Sequence, residues 1–137
     1  MRQTLRKAEI LRGRGLFSKI QSSGTSIVGD TLICYYTINR REEETQPNVR
    51  MGILIMRNTR KAYNRNLYKR RIREAYRQLK GTLISNANRE GLEVDLLFGL
   101  NLRQTAEPTI PKYEKLFQDM EQLVEKLSGE ICGQRDT

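Results

Sequence analysis

The sequence contains no histidine, only two cysteines and no apolar run near the roughly 18 residues that a membrane span requires. Without histidine it has no Ser-His or Cys-His catalytic pair and no histidine-containing zinc site. Cys34 lies in an apolar segment and Cys132 in a polar one, so we expect two reduced thiols rather than a disulfide. The N-terminus has no apolar signal core, which argues against secretion. Catalysis by the chain itself would have to rest on carboxylates, lysine or tyrosine.

Positive charge is concentrated in one segment, residues 57–80. This segment holds ten Lys and Arg and one acid, Glu74, whereas the whole chain holds 25 basic and 16 acidic residues. The remaining residues of the 137-residue chain include 15 basic and 15 acidic side chains, so their net charge is zero. A localised basic element on an otherwise balanced domain indicates a polyanionic partner.

The hydrophobic pattern predicts one α+β domain over residues 1–129 and a disordered tail over 130–137. Because of the basic segment, we expect this domain to be an RNA-binding domain. The predicted order is α-β-β-β-α-β-α, with helices packed on a four-stranded sheet. The predicted elements are a helix strongest at 16–22 and ended near Gly24, strands at 26–28, 31–39 and 49–56, a helix at 62–86, a turn at 86–91, a strand at 93–100, and a helix at 112–128 stopped by Gly129. The strand at 31–39 is apolar on both faces, so we expect it to be central and only partly covered on one face. The long connection from 56 to 93 predicts a βαβ unit in one sheet.

Three segments admit two interpretations each. The Arg-Gly-Arg-Gly run at 12–15 is either a flexible RNA-contacting arm or a frayed helix start. The three glutamates at 42–44 suggest metal chemistry, but such a run is more typical of a solvated hairpin tip. The amphipathic helix at 112–128 favours packing on the core over binding a partner.

The helix predicted at 62–86 has two different faces. Its apolar residues recur at helical spacing within a sector of about 100°. They are Tyr68, Ile72, Ala75, Tyr76, Leu79 and Leu83. Beside them lies a stripe of basic and polar residues at intervals of four and at neighbouring positions. The stripe consists of Arg65, Lys69, Arg73 and Arg77, with Asn66, Arg70 and Lys80 next to them. We expect the helix to dock on a sheet and to present this stripe to solvent.

The composition of the stripe favours phosphate binding. Like charges four residues apart destabilise a helix by a few tenths of a kcal/mol per pair, and a purely structural helix would interleave glutamate. Arginine outnumbers lysine seven to three between residues 57 and 80. Guanidinium groups suit bidentate phosphate contacts and stacking on bases. Away from the stripe, Phe17 and Tyr35 are either core residues or a stacking platform for single-stranded bases.

Residues 62–76 resemble the protein subunit of bacterial ribonuclease P. The matching signature is an Arg-Asn pair, then Lys-Arg, then Arg-Glu-Ala-aromatic. Here it reads Arg65-Asn66, Lys69-Arg70 and Arg73-Glu74-Ala75-Tyr76. The resemblance covers about residues 5–127. The chain departs from the pattern at Arg60, where glycine is common, and at Gln21, where the family often has a second aromatic residue.

The resemblance implies a subunit that binds the catalytic RNA of ribonuclease P, the endoribonuclease that removes the 5′ leader from precursor tRNA. It implies that the magnesium ions and the active site belong to the RNA, so that this chain has no catalytic residue, no metal and no cofactor. The implied contacts with the catalytic RNA are Arg65, Asn66, Lys69, Arg70 and Arg73. The implied contacts with the leader of precursor tRNA are Phe17, Tyr35 and Arg57. A cytoplasmic protein is implied, with no membrane association, no obligate protein partner and a crossover like that of certain ribosomal proteins.

Two other functions fit parts of the sequence. A structural RNA-binding protein, such as a ribosomal protein, would share the basic helix without a leader cleft. A stand-alone nuclease would need Glu and Asp metal ligands, yet the acids lie far in sequence from the basic segment.

Overall fold

Within the residues that the structure describes, three α-helices and four β-strands follow one another in the predicted order. The computed structural model describes residues 7–11, 13–41, 47–54, 62–100 and 112–133. A 3-10 turn at Lys7–Glu9 precedes α1 (Arg14–Ser23), β1 (Thr25–Val28), β2 (Leu32–Arg40), β3 (Val49–Ile53), α2 (Ala62–Glu90), β4 (Leu92–Leu100) and α3 (Tyr113–Gly133). Because α1 begins at Arg14, part of the Arg-Gly-Arg-Gly run belongs to this helix.

The strands form one sheet in the order β1-β2-β4-β3. The central strand β2 pairs antiparallel with β1 and with β4, as its two apolar faces predicted. The strands β3 and β4 are parallel neighbours, so β3, α2 and β4 form the predicted βαβ unit. The strand β3 is shorter than predicted and ends at Ile53, although the Leu54 N–H still donates to the Phe98 carbonyl at 2.8 Å.

Helices α2 and α3 cover one face of the sheet and form the main core with it. Phe98 of β4 lies at its centre, with its ring centroid 5.9 Å from that of Tyr76. The Tyr68 hydroxyl donates to the Phe98 carbonyl at 3.4 Å. The predicted apolar face of α2 is confirmed, since Ile72 and Tyr76 are fully buried. None of the described helices is both long and apolar enough to cross a membrane.

The opposite face of the sheet is covered only in part, as predicted. Helix α1 packs there and builds a second, smaller core. The buried members of this core are Leu11, Ile20 and Leu97, and the partly buried residues packed against them are Leu16, Phe17, Tyr35 and Leu54. One side of the sheet therefore keeps accessible apolar and aromatic surface.

Helix α2 continues through the segment predicted to be a turn. It reaches Glu90, four residues beyond the predicted end. Ala87 lies one turn after Leu83 on the same apolar face, and both are fully buried. The helix ends where Gly91 adopts a positive φ of 67°, which glycine tolerates without a steric penalty.

Helix α3 also runs past its predicted end. It passes Gly129, where the sequence predicted its end, and reaches Gly133. Ile131 lies four residues after Leu127 and is fully buried. Burying an isoleucine side chain contributes about 1.5–3 kcal/mol, which exceeds the cost of about 1 kcal/mol for a glycine inside a helix. The buried positions of α3 confirm that it packs on the core.

Several predictions concern residues outside the described ranges. They are the glutamate run at 42–44, the contact at Arg57, the departure at Arg60 and the end of the tail at 134–137.

Candidate nucleic-acid interface

The basic stripe lies on the side of α2 that faces away from the core. Arg70 and Arg73 are exposed and Lys69 is half-buried. Among the described residues, none of these three cations has an acidic partner. Together with Asn66 they line a shallow groove of about 660 Å³ whose far wall includes Ile10. The structure therefore brings together four of the five residues predicted to contact the catalytic RNA. Arg65, the fifth, is half-buried one turn earlier and lies outside the groove lining.

The single acid of segment 57–80, Glu74, is bound to Arg77. Nη2 of Arg77 lies 2.6 Å from Glu74 Oε1, and Nε donates to Oε2 at 3.1 Å. Gln78 adds a hydrogen bond of 3.1 Å to the same carboxylate. These hydrogen bonds, that from Arg77 first, lower the pKa of Glu74 below its usual range. Glu74 therefore stays ionised and neutralises the charge of Arg77. The positive charge of the groove then comes from Lys69, Arg70 and Arg73.

Lys80 does not belong to the solvent-facing stripe, contrary to the prediction. It is only 6% exposed, and its Nζ lies 2.8 Å from Oε2 and 3.2 Å from Oε1 of Glu9, which is also buried. This ion pair connects residues 7–11, the N-terminal segment, to α2. Leu11 continues the attachment, since its N–H donates to the Met51 carbonyl at 2.7 Å along the outer edge of β3. Sequence periodicity cannot detect this pair because its members lie 71 residues apart.

Phe17 and Tyr35 lie together on the partly covered face of the sheet. Tyr35 of β2 is the cross-strand partner of Leu97 in β4, and Leu97 is in turn the partner of Gly52 in β3. Phe17 of α1 packs against the same small core and reaches Gly52. Both aromatic residues are half-buried, so each packs on the core and still exposes part of its surface. Gln21, one turn after Phe17, is exposed.

An apolar surface adjoins this aromatic pair, and sequence reasoning did not single it out. Ile33 lies two residues before Tyr35 on the same face of β2, and its cross-strand partner is Val28 of β1. Val28 is 50% exposed. Alternation along β2 indicated the position of Ile33, but the register that places Val28 beside it depends on the pairing of two strands. The partly buried Leu54 borders the same face.

A second groove joins Phe17 to the basic stripe. It has a volume of about 370 Å³ and follows the edge of β3. Its lining consists of Ile10, Leu11, Phe17, Met51, Ile53, Lys69 and Arg73. Lys69 and Arg73 line this groove as well as the larger one. The two predicted sites are therefore adjoining parts of one continuous surface rather than separate surfaces.

Three carboxylates among the described residues are engaged with cations of the chain itself. Asp95 forms a two-point ion pair with Arg50, at 3.0 and 3.1 Å. Glu9 and Glu74 are bound as described above. In the part of the chain that the structure describes, no three Cys, Asp or Glu side chains form a group that could hold a metal ion.

Comparison with known proteins shows the family to which the chain belongs. The family model described as Ribonuclease P matches residues 5–128. This chain belongs to the ribonuclease P family. Family membership confirms the resemblance inferred from residues 62–76 and associates the chain with tRNA processing and with ribonuclease P RNA. No curated protein matches the sequence.

Solved structures of ribonuclease P proteins share the fold. The RNase P protein from Thermotoga maritima superposes with a TM-score of 0.64 at 23% identity, over 86% of this chain and 96% of that chain. The RNase P protein from Staphylococcus aureus gives a TM-score of 0.62 at 18% identity, over 88% of this chain and 96% of that chain. These matches confirm the predicted α+β fold class.

Proposed function

We propose that this chain binds the catalytic RNA of ribonuclease P through α2 and holds the single-stranded leader of precursor tRNA against the sheet. One observation carries the proposal. Lys69 and Arg73, two cations without an acidic partner among the described residues, line a groove that leads to Phe17. A folded RNA and the strand that it processes can therefore occupy one continuous surface of the protein.

Docking of the catalytic RNA rests on the charge and shape of the α2 face. The groove beside Arg70 is open and shallow, so a phosphate backbone can enter it from solvent. Arginine offers planar donors that match two phosphate oxygens, and Asn66 can exchange hydrogen bonds with 2′-hydroxyls or base edges. The opposite side of α2 is bound to Phe98 through two tyrosines, which holds the cations on a rigid element.

Leader binding rests on the partly covered face of the sheet. Unstacked bases bind aromatic and apolar side chains, and stacking on aromatic residues tolerates many sequences. Phe17 and Tyr35 offer such rings, and Ile33, Val28 and Leu54 extend the apolar surface beside them. Arg57 would add a cation to the leader path.

Chemistry is assigned to the RNA subunit and its magnesium ions. The chain has no histidine to act as a general base. Glu9 neutralises Lys80, and Asp95 neutralises Arg50. In this proposal the protein contributes binding and positioning, with no catalytic residue, metal or cofactor of its own and no obligate protein partner.

Reconstitution tests the proposal. The chain is mixed with a ribonuclease P RNA and a precursor tRNA at low magnesium, and 5′ processing is measured. We expect faster processing than by the RNA alone. Absence of stimulation would favour a structural RNA-binding protein, and cleavage by the protein without RNA would favour a nuclease.

A further inference from the structure

Gly52 is the point where the ring of Phe17 meets the sheet. A Cβ atom built on Gly52 would lie 2.8 Å from Phe17 Cζ, 2.9 Å from Phe17 Cε1 and 2.8 Å from Leu97 Cδ2. Carbon atoms prefer separations of about 3.5–4.0 Å, so no side chain fits at this position without a displacement. The Phe17 ring occupies the space that a side chain at position 52 would need.

Backbone conformation gives no reason for glycine at this position. Among the described residues, the glycines with positive φ are Gly13 and Gly91, and Gly52 is not one of them. A glycine inside a strand weakens the strand because it loses more freedom on folding and packs no side chain. The close approach of Phe17 and Leu97 is the benefit that offsets this weakening.

A methyl group at position 52 would displace Phe17 rather than Leu97. Leu97 is fully buried and lies between Tyr35 on β2 and Gly52 on β3. Phe17 is half-buried, so part of its surface is exposed to solvent. The Phe17 ring, rather than Leu97, would therefore move away from β3.

We propose that Gly52 is a positioning residue, which fixes the height of the Phe17 ring above the sheet and so the depth of the cleft for single-stranded RNA. This inference rests on the proposed function. A ring lowered onto β3 leaves room for a base between α1 and the strands. A raised ring narrows that room without changing the cations of α2.

Gly99 provides a matched control on the same face. It lies in β4, two residues after Leu97, and a Cβ atom there would lie 3.5 Å from Leu54 and 3.6 Å from Ile33. These are ordinary van der Waals distances. Gly99→Ala therefore adds the same methyl group to the same face without displacing Phe17.

Holoenzymes reconstituted with each variant test the inference. Affinity is measured for precursor tRNA with a single-stranded leader and for mature tRNA without one. Stacking of one base on an aromatic ring accounts for about tenfold in affinity. We therefore expect Gly52→Ala to weaken the binding of leader-bearing tRNA by about tenfold. Binding of mature tRNA should stay unchanged, and Gly99→Ala should change both affinities by less than about twofold. Equal weakening of both substrates by Gly52→Ala would overturn the inference.

A second comparison separates positioning from a general structural effect. Leucine at position 17 lacks the ring atoms that the new methyl group would meet. Gly52→Ala should therefore have no further effect on leader affinity in a Phe17→Leu background. If the Gly52→Ala single variant does not fold, the comparison of Phe17→Leu with the double variant tests the positioning role of Gly52. A further loss in that background would overturn the inference. If the wild-type holoenzyme itself does not distinguish leader-bearing from mature tRNA, the proposed function fails instead.

Discussion

Arg70 combines the three properties that an RNA contact needs. It is exposed, it lines the larger groove of α2, and it has no acidic partner among the described residues. Arg70→Ala should weaken binding of the catalytic RNA by about 5- to 10-fold, as expected for the loss of one or two charge-assisted hydrogen bonds. A filter-binding titration with labelled RNA measures this effect.

Arg89 is the matched control for Arg70. It is an exposed arginine on the same helix, but it lies in the last turn, where its Nη2 donates to Asn86 at 2.7 Å. Arg89→Ala should leave the RNA affinity within about twofold of the wild type. Equal losses for the two variants would mean that the position of the charge on α2 is unimportant.

The two cysteines should differ sharply in reactivity. Burial raises the pKa of Cys34 to about 12, whereas Cys132 is exposed. The thiolate is the reactive form, so Cys34 stays protonated and shielded at pH 8. A colorimetric thiol reagent should modify one cysteine rapidly in the folded protein and two in denaturant. Rapid modification of the folded Cys132→Ser variant would contradict the burial of Cys34.

Residue-level prediction succeeded where the signal is local. The interval of four residues from Arg65 to Arg77 predicted the stripe, because this spacing follows from the helix itself. Prediction from the sequence failed for Lys80, whose partner Glu9 is remote in sequence. It also failed for Gly52, whose importance depends on the close approach of Phe17. Positions that act through long-range contacts leave no pattern in a single sequence.

At the scale of elements, α2 is a helix with one packing side and one binding side. Ile72 is fully buried, and Arg73, the next residue, is exposed. Ile72→Asp should unfold the domain, because an isolated carboxylate in the core costs several kcal/mol. Arg73→Asp should keep the fold and lose RNA binding. Thermal unfolding followed by circular dichroism separates the two, and a cooperative transition for Ile72→Asp near that of the wild type would contradict the orientation of α2.

The N-terminal segment is held to α2 by a buried ion pair. Glu9→Gln removes the carboxylate charge that lies 2.8 Å from Lys80 and should reduce the free energy of unfolding by about 3 kcal/mol. Replacing both residues with methionine should cost less, because no buried charge then remains from the pair. Urea denaturation measures both effects. A Glu9→Gln variant as stable as the wild type would show that the pair is not needed to hold the segment.

The types and order of the elements were predictable from the sequence, but two helix ends were not. Turn-forming residues such as Asn86 and Gly129 suggested termination. The helices continue because Ala87 and Ile131 fall on the apolar faces, and tertiary packing outweighs a weak local preference. The strand order also lay beyond the sequence, since it depends on pairing across the whole chain.

At the scale of the whole molecule, charge and apolar surface are divided between adjoining regions. Cations gather on α2, the open apolar surface lies on the sheet beside α1, and the N-terminal segment runs between them along β3. The groove along β3 joins the two regions, so that in the proposed function both serve one RNA–protein assembly.

The salt dependence of catalytic-RNA binding is the sharpest test of docking through the basic face of α2. Neutralising about five to seven phosphates predicts a plot of log affinity against log salt with a slope of about −4 to −6. The Phe17→Ala variant should give the same slope and affinity, because its change lies on the leader side of the surface, whereas Arg70→Ala should give a shallower slope by about one. A flat salt dependence of the wild-type protein would contradict docking through the basic face of α2.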